Sequence, residues 1–271
     1  MTAGPEDQRH QRWRAKYGPW AVVTGASDGI GRAFATCLAA RGIHLVLVAR
    51  RRLELNHIAA EMAAQHKVET RVIDADLGQH AAYAGVFKAT DDLDIGLLVA
   101  CAGFGTTGRL IDRELDAELD MIEVNCSAVL AMSKHFGLRF ARQGRGGLIL
   151  MSSLLAFQGV PLAANYAATK AYVQTLAEGL RLELAPTGVD VLACAPGPIH
   201  SGFAARAGMV MGMAQKPSDI AGPALDALGR QTTVRPGWLA KSLEASFFGQ
   251  PRRLRAGILG RVMRGMVRQE A

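Results

Sequence analysis

The sequence predicts an α/β protein built on one open, doubly wound parallel sheet with helices on both faces. Apolar runs without internal polar residues, such as "LVLVA" at 45–49 and "IGLLVA" at 95–100, alternate with stretches of helical spacing. Strands read that way when helices cover both sides of a parallel sheet. A glycine-rich turn, "TGASDGIG" at 24–31, joins the first strand to the first helix, where sheets of this kind meet phosphate groups. With 271 residues, 49% hydrophobic and 20% charged, the chain suits one large domain, and nothing across 120–150 resembles a linker.

The elements follow in order. A strand at 21–23 runs into the glycine turn, a helix spans about 30–40 and stops at Arg41-Gly42, and a second strand at 44–49 completes a βαβ unit. A helix at about 52–65, a strand near 68–73, a helix in the 80s and a strand at 95–103 continue the alternation. Next come a helix over about 115–141 with a break, a strand at 147–153, a helix at about 164–184 and a strand at 189–197. The interval 198–216 is polar and glycine-rich and has no convincing strand. The segment "KPSDIAGPALDALG" reads as a short helix with Ser218 as its cap. Six strands are expected. Residues 1–17 form an N-terminal extension, 18–250 the dinucleotide-binding and catalytic domain, and 251–271 a basic amphipathic tail.

Composition excludes several classes. Cys37, Cys101, Cys126 and Cys194 are too scattered for a metal knuckle or a disulfide framework, so reduced thiols and no metal are expected. No segment reads as a signal sequence or a membrane span, which implies a cytoplasmic protein with peripheral contact to a membrane surface left open. The net charge of +7 is concentrated locally. Residues 252–268 hold six Arg and no acid, so no nucleic-acid footprint is required.

In the turn at 24–31, Gly25 allows the bend, Gly29 admits a diphosphate to the backbone, Gly31 lets helix and sheet pack, and Ser27 adds a hydroxyl donor. The second strand ends in Arg50, Arg51 and Arg52, where an NAD site usually carries an acid. Guanidinium groups suit a 2'-phosphate, so NADP(H) is the expected cofactor. Asp76 and Leu77 follow the third strand, where an adenine ring would lie; an ordinary helix cap is the other reading of Asp76. Ala102 and Gly103 end the fourth strand with small residues against which a cofactor can rest.

Tyr166 and Lys170, in "YAATK", stand on one helix face with Cβ atoms roughly 5–6 Å apart. Ser153 ends the fifth strand, and ligands collect at such strand ends. Asn125 lies among apolar neighbours and needs partners, either on the Ser153 strand or on the 102–103 loop. Tyr166 would exchange a proton with a carbonyl oxygen, Ser153 would hydrogen-bond that oxygen, and Lys170 together with an oxidised, positively charged nicotinamide would lower the tyrosine pKa from its usual value near 10.

Taken together, TGASDGIG, CAG at 101–103, Asn125, Ser153, YAATK and PG at 196–197 resemble the short-chain dehydrogenase/reductase family over about 18–240. That resemblance implies a Rossmann-type domain and hydride transfer between a nicotinamide cofactor and an alcohol or carbonyl. Asn125, Ser153, Tyr166 and Lys170 become the catalytic group. Cofactor contacts are implied for Gly25, Ser27, Asp28, Gly29, Ile30, Gly31, Arg50, Arg51, Asp76, Leu77, Ala102, Gly103, Tyr166, Lys170, Pro196, Gly197 and Ile199. A homodimer or homotetramer is implied as well. Two departures stand out. Cys101 replaces the usual Asn, which removes a side-chain brace, and Ser201 is the nearest hydroxyl after PG where a Thr is common.

The loop at about 198–216 carries Phe203, Met209, Val210, Met211 and Met213, and with Leu154, Leu155, Phe157, Pro161 and Leu162 it implies an apolar pocket. A lipophilic ketone or secondary alcohol fits such a site. The motifs look most like the branch of hydroxysteroid dehydrogenases and very-long-chain 3-ketoacyl reductases, which implies a steroid or fatty-acyl substrate. The tail at 252–268 would meet a membrane, a second subunit or the substrate cleft. A nucleotide-sensing or scaffold protein without turnover is the alternative function.

Overall fold

A computed structural model describes residues 5–208, 214–237 and 249–266. Met209, Val210, Met211 and Met213 of the expected substrate loop lie outside the described residues. Among the described residues, seven parallel strands form one sheet in the order β3-β2-β1-β4-β5-β6-β7. They are β1 Trp20–Thr24, β2 His44–Ala49, β3 Thr70–Asp74, β4 Ile95–Ala100, β5 Gly146–Met151, β6 Val189–Cys194 and β7 Thr233–Val234. The seventh strand, two residues long, is the one the sequence did not announce, because alternation or an apolar run cannot be read over so short a span.

The helices are α1 Pro5–Tyr17, α2 Gly29–Ala40, α3 Arg52–His66, α4 His80–Lys88, α5 Leu115–Ile122, α6 Ala128–Gln143, α7 Ala164–Leu184, α8 Gly202–Arg206, α9 Ser218–Ala227 and α10 Arg252–Met266. Alternate strand residues serve opposite faces of the sheet. Ala21, Val23, Leu45, Leu47, Leu97 and Val99 join Phe34, Leu38 and Leu225 in one core. Val22, Val46, Val48, Leu98, Leu148 and Leu150 join Phe136, Phe140 and Val173 in the other. Both faces are thus dry, and that is why each strand reads as an unbroken apolar run.

Strands β4, β5 and β6 stop earlier than the apolar pattern suggests, so that residues 101–103, 152–153 and 195–197 are free to turn beneath the site. The expected break in the long helix is a π-helical turn, Glu123–Ser127, with Asn125 at its middle. Such turns insert one extra residue into a helix and are frequent at functional sites. Ser218 does not cap α9. Pro217 holds that position without a side-chain bond, and the Asp219 carboxylate accepts from the Lys216 amide at 3.2 Å instead.

Helix α1 is tied to the sheet. Tyr17 donates its hydroxyl to Asp190 at 2.5 Å, and Lys16 pairs with the same carboxylate. No helix among the described residues is long and apolar enough to cross a membrane.

Candidate active site

One cavity of about 520 Å³ opens at the carboxyl ends of the strands. Every catalytic or cofactor position expected from the sequence lines it except Asn125, which is fully buried behind it. The glycine turn forms the floor at one end. A Cβ on Gly31 would lie 2.2 Å from the Gly25 carbonyl oxygen, so α2 packs against its own preceding turn at a distance only glycine permits. Asp28 caps α2 by accepting from the Gly29 amide at 2.7 Å, and its other oxygen accepts from the Gly202 amide at 3.0 Å.

Arg51 donates to the Ser27 carbonyl oxygen at 3.0 Å and to the Ser27 hydroxyl at 3.2 Å, so its guanidinium is held over the turn. Arg52 is engaged elsewhere, pairing with Asp74 at 2.6 Å. Asp76 accepts from the Gly78 amide at 3.1 Å, which makes it a turn-forming side chain at the cavity edge. The brace missing at Cys101 is supplied from the other side: the Ala102 amide donates to the Thr24 hydroxyl at 3.0 Å. A glycine cradle, amides at a helix start and guanidiniums without acidic partners are the donor set that a phosphorylated dinucleotide requires, and the residues present fit one.

The chemistry-bearing corner lies at the other end. Ser153 is the extended residue before a 3-10 turn, Leu154–Phe157, and its hydroxyl accepts from the Leu155 amide at 3.2 Å. Tyr166 and Lys170 come from α7, with the Lys170 Nζ 5.7 Å from the Tyr166 ring centroid. That ammonium donates to the Met151 carbonyl oxygen at 2.9 Å. Burial pushes the Tyr166 hydroxyl up to about 12, partly offset by its hydrogen bond with Ser153. Burial also pulls Lys170 down to about 8, against smaller opposing effects of Cys101 and Cys126. Without coenzyme, desolvation therefore sets the tyrosine pKa above its usual value, whereas the lowering expected from Lys170 acting with an oxidised nicotinamide belongs to the loaded site. A neutral phenol at physiological pH is the result.

Asn125 bonds the loop rather than the Ser153 strand. Its Oδ1 accepts from the Phe104 amide at 3.1 Å, and its Nδ2 donates to the Phe104 carbonyl oxygen at 2.9 Å and to the Thr169 hydroxyl at 3.0 Å. Both amide hydrogens are spent, so the side chain clips the loop after β4 to α7. The Cys101 and Cys126 thiols are raised by burial to about 12 and about 11, which leaves them inert as nucleophiles.

The substrate side is apolar. Leu154, Leu155 and Phe203 line the cavity, with the Phe203 ring 5.4 Å from that of Tyr166. Phe157, Pro161 and Leu162, expected there too, do not line it: Phe157 carries the Arg235 guanidinium 4.2 Å from its ring, Pro161 faces Gly260, and Leu162 packs on the cluster that holds Leu259 and Met263. Leu162 has φ of 66°, a conformation costly for a branched side chain and held here by its carbonyl, which accepts from the Gly108 amide at 2.9 Å. The interval 198–216 is stapled at its base by an Ile199–Gln215 bridge. Ser201 accepts from the Phe203 amide at 3.4 Å.

Helix α10 closes the roof. Leu259 and Met263 are buried against Val160, Ala163 and Ala167, and with Val262 and Met266 they line the cavity. Gly260 permits this approach, since a Cβ there would meet Pro161 at 3.0 Å. Of the three destinations open to the tail, the cleft is the one its buried face occupies.

Sequence reasoning missed Thr24, Thr169 and Glu118. Glu118 is buried, accepting from Thr106 at 2.6 Å and from Asn165 at 2.7 Å, yet in "RELDAELD" nothing separates it from its exposed acidic neighbours.

Comparison with known proteins agrees with this geometry. A family model described as short chain dehydrogenase matches residues 19–209. A 7beta-hydroxysteroid dehydrogenase of Collinsella aerofaciens is 34% identical over 233 residues, 83% of this chain and 88% of that protein. A very-long-chain 3-oxoacyl-CoA reductase of Anas platyrhynchos is 35% identical over 192 residues, 68% of this chain and 62% of that one. The structure of a short-chain dehydrogenase from Sphingobium yanoikuyae in complex with NADPH superposes with a TM-score of 0.77 at 27% identity, covering 94% of this chain and 98% of that one. The chain belongs to the short-chain dehydrogenase family.

Proposed function

We propose that this protein is an NADP(H)-dependent oxidoreductase that interconverts a lipophilic ketone and a secondary alcohol, with a steroid or a fatty 3-ketoacyl compound as the substrate class. One observation carries the reading: Ser153, Tyr166 and Lys170 converge in an apolar corner of the same cavity that holds the glycine turn and Arg50. Relatives that act on hydroxysteroids and on 3-oxoacyl-CoA support the substrate class, and the NADPH-bound relative supports the cofactor.

Gly25, Ser27, Gly29 and Gly31 would hold the diphosphate, Arg50 and Arg51 the 2'-phosphate, and Ala102 and Gly103 would flank the adenosine side. Pro196, Gly197 and Ile199 border the nicotinamide end. Bound NADPH supplies the hydride that reduces the carbonyl carbon. Tyr166, protonated because burial raises its pKa, donates its hydroxyl proton to the carbonyl oxygen. Ser153 hydrogen-bonds the same oxygen and steadies the charge that gathers there. Lys170, anchored on the Met151 carbonyl, keeps a positive charge beside the phenol and can hold the coenzyme ribose. Asn125 acts indirectly by fixing the loop behind Gly103.

Phe203 and Ala207, from the segment after β6, and α10 would wall the substrate side. Membrane contact through 252–268 would have to use the outward Arg252, Arg253, Arg261 and Arg264 with the exposed Leu254 and Val262, since Leu259 and Met263 are buried against the domain. Exposed Leu119, Leu130, Leu138 and Tyr172 on α5, α6 and α7 support self-association into a homodimer or homotetramer.

NADPH oxidation over a panel of bulky lipophilic ketones tests the activity. Turnover on at least one is expected, whereas tight NADPH binding with no turnover on a broad panel would favour a sensor or scaffold. The value of kcat/KM for NADPH should fall as pH rises through about 8, because Lys170 loses its ammonium there. A flat profile up to pH 10 would remove Lys170 from the coenzyme site. Arg50→Ala should weaken NADPH by about 10-fold while changing NADH little, the signature of a lost charged contact to the 2'-phosphate. Equal losses for the two coenzymes would contradict that placement.

A further inference from the structure

We propose that Arg206 is a phosphate ligand for the coenzyme, delivered by the same segment that walls the substrate side. The inference rests on the NADP(H) reading and assigns a further residue to that site. Arg206 ends α8, well beyond the motifs that usually mark a dinucleotide site. Its guanidinium carbon stands 3.9 Å from the centroid of the Phe104 ring. That ring is a fixed platform, because Asn125 grips both the amide and the carbonyl of Phe104.

Arg206 lines the cavity together with Arg50 and Arg51. Among the described residues no carboxylate forms an ion pair with any of the three. Partial burial and then the charge of Arg50 weaken protonation of Arg206, while Asp76 and Asp120 act the other way from beyond pairing distance. The carboxylates that line the cleft, Asp28 and Asp76, are turned to backbone amides, so the gathered like charges gain most when an anion joins them. Arginine's planar fork matches a phosphate group.

The backbone explains how Arg206 reaches this place. The Asp28 carboxylate accepts from Gly29 at the coenzyme turn and from Gly202 at the start of α8. Gly29, at φ of 54°, lies so close to this segment that a Cβ on it would meet the Ser201 Cβ at 2.9 Å. Ser201 and Gly202 therefore lie against the glycine turn, and α8 sets out from there toward Arg206. Asp28 ties the two together.

The test is coenzyme affinity, read by fluorescence titration of NADPH and NADH without substrate, for the unaltered protein, Arg206→Met and Arg206→Lys. Methionine keeps an apolar stem over Phe104 and drops the charge. Arg206→Met should raise the Kd for NADPH by about 10-fold, and Lys should recover part of the loss. The affinity of the Met variant should also depend less steeply on salt, while its melting temperature stays unchanged. A loss confined to NADPH assigns the contact to the 2'-phosphate, and equal losses for NADPH and NADH assign it to the diphosphate. Unchanged affinity for both in Arg206→Met, with Arg50→Ala still weakening NADPH, overturns the role of Arg206 and leaves the coenzyme reading standing. Failure of the unaltered protein to bind either coenzyme overturns both.

Discussion

Tyr166→Phe is expected to lower turnover by about 100-fold or more, the scale of losing a positioned proton donor, with NADPH affinity nearly unchanged. The substitution removes one oxygen and keeps the ring that packs against Phe203 at 5.4 Å. Lys170 remains on the Met151 carbonyl, and Ser153 keeps the Leu155 amide, so the corner holds its shape. What disappears is the hydroxyl proton. Because burial holds that hydroxyl protonated up to about pH 12, the loss should appear across the whole neutral range and not only on an alkaline limb. Stopped-flow NADPH oxidation with a reactive ketone measures it, and wild-type turnover in the variant would withdraw Tyr166 from the chemistry.

Gly31→Ala should be the most damaging single change at the coenzyme end. The added carbon would sit 2.2 Å from the Gly25 carbonyl oxygen and 2.7 Å from its carbon, both backbone atoms. No rotamer relieves such an overlap, so α2 must move off the turn. A cost of roughly 3 kcal/mol, at about 2–4 °C per kcal/mol for a chain of this size, predicts a melting temperature lower by about 10 °C. NADPH affinity should fall by at least about 10-fold, since the amides proposed to cradle phosphate shift with the helix. Gly257→Ala is the control. Nothing lies within 4 Å of a Cβ at that position, and alanine there should firm α10 by up to about 1 kcal/mol. Normal melting and normal affinity in Gly31→Ala would mean that the turn is looser than its geometry implies.

Much of this architecture is legible in the chain because two physical constraints write themselves into sequence. Strands buried on both faces must be apolar throughout, and β1, β2, β4, β5 and β6 all announce themselves that way. A turn that receives phosphate needs glycines at fixed places, as Gly31 demonstrates. What stayed hidden depends on contacts made at a distance. Thr169 and Glu118 are ordinary residues on helices until folding brings Asn125 and Asn165 to them. The burial that raises the Tyr166 pKa in the protein without coenzyme comes from elements distant in the chain and leaves no mark on YAATK itself. Arg206 has no motif of its own and acquires meaning only because Asp28 ties the start of α8 to the glycine turn.

The placement of α10 bears on how the protein is handled. Met266 still lines the cavity, so a purification tag joined shortly after α10 would begin beside a wall of the binding chamber. A tag joined ahead of α1 would instead adjoin a helix fastened at Tyr17 to Asp190, next to the start of β6 and at the opposite end of the strands from the cavity. Kinetic constants collected on carboxyl-tagged material would report the appendage along with the enzyme.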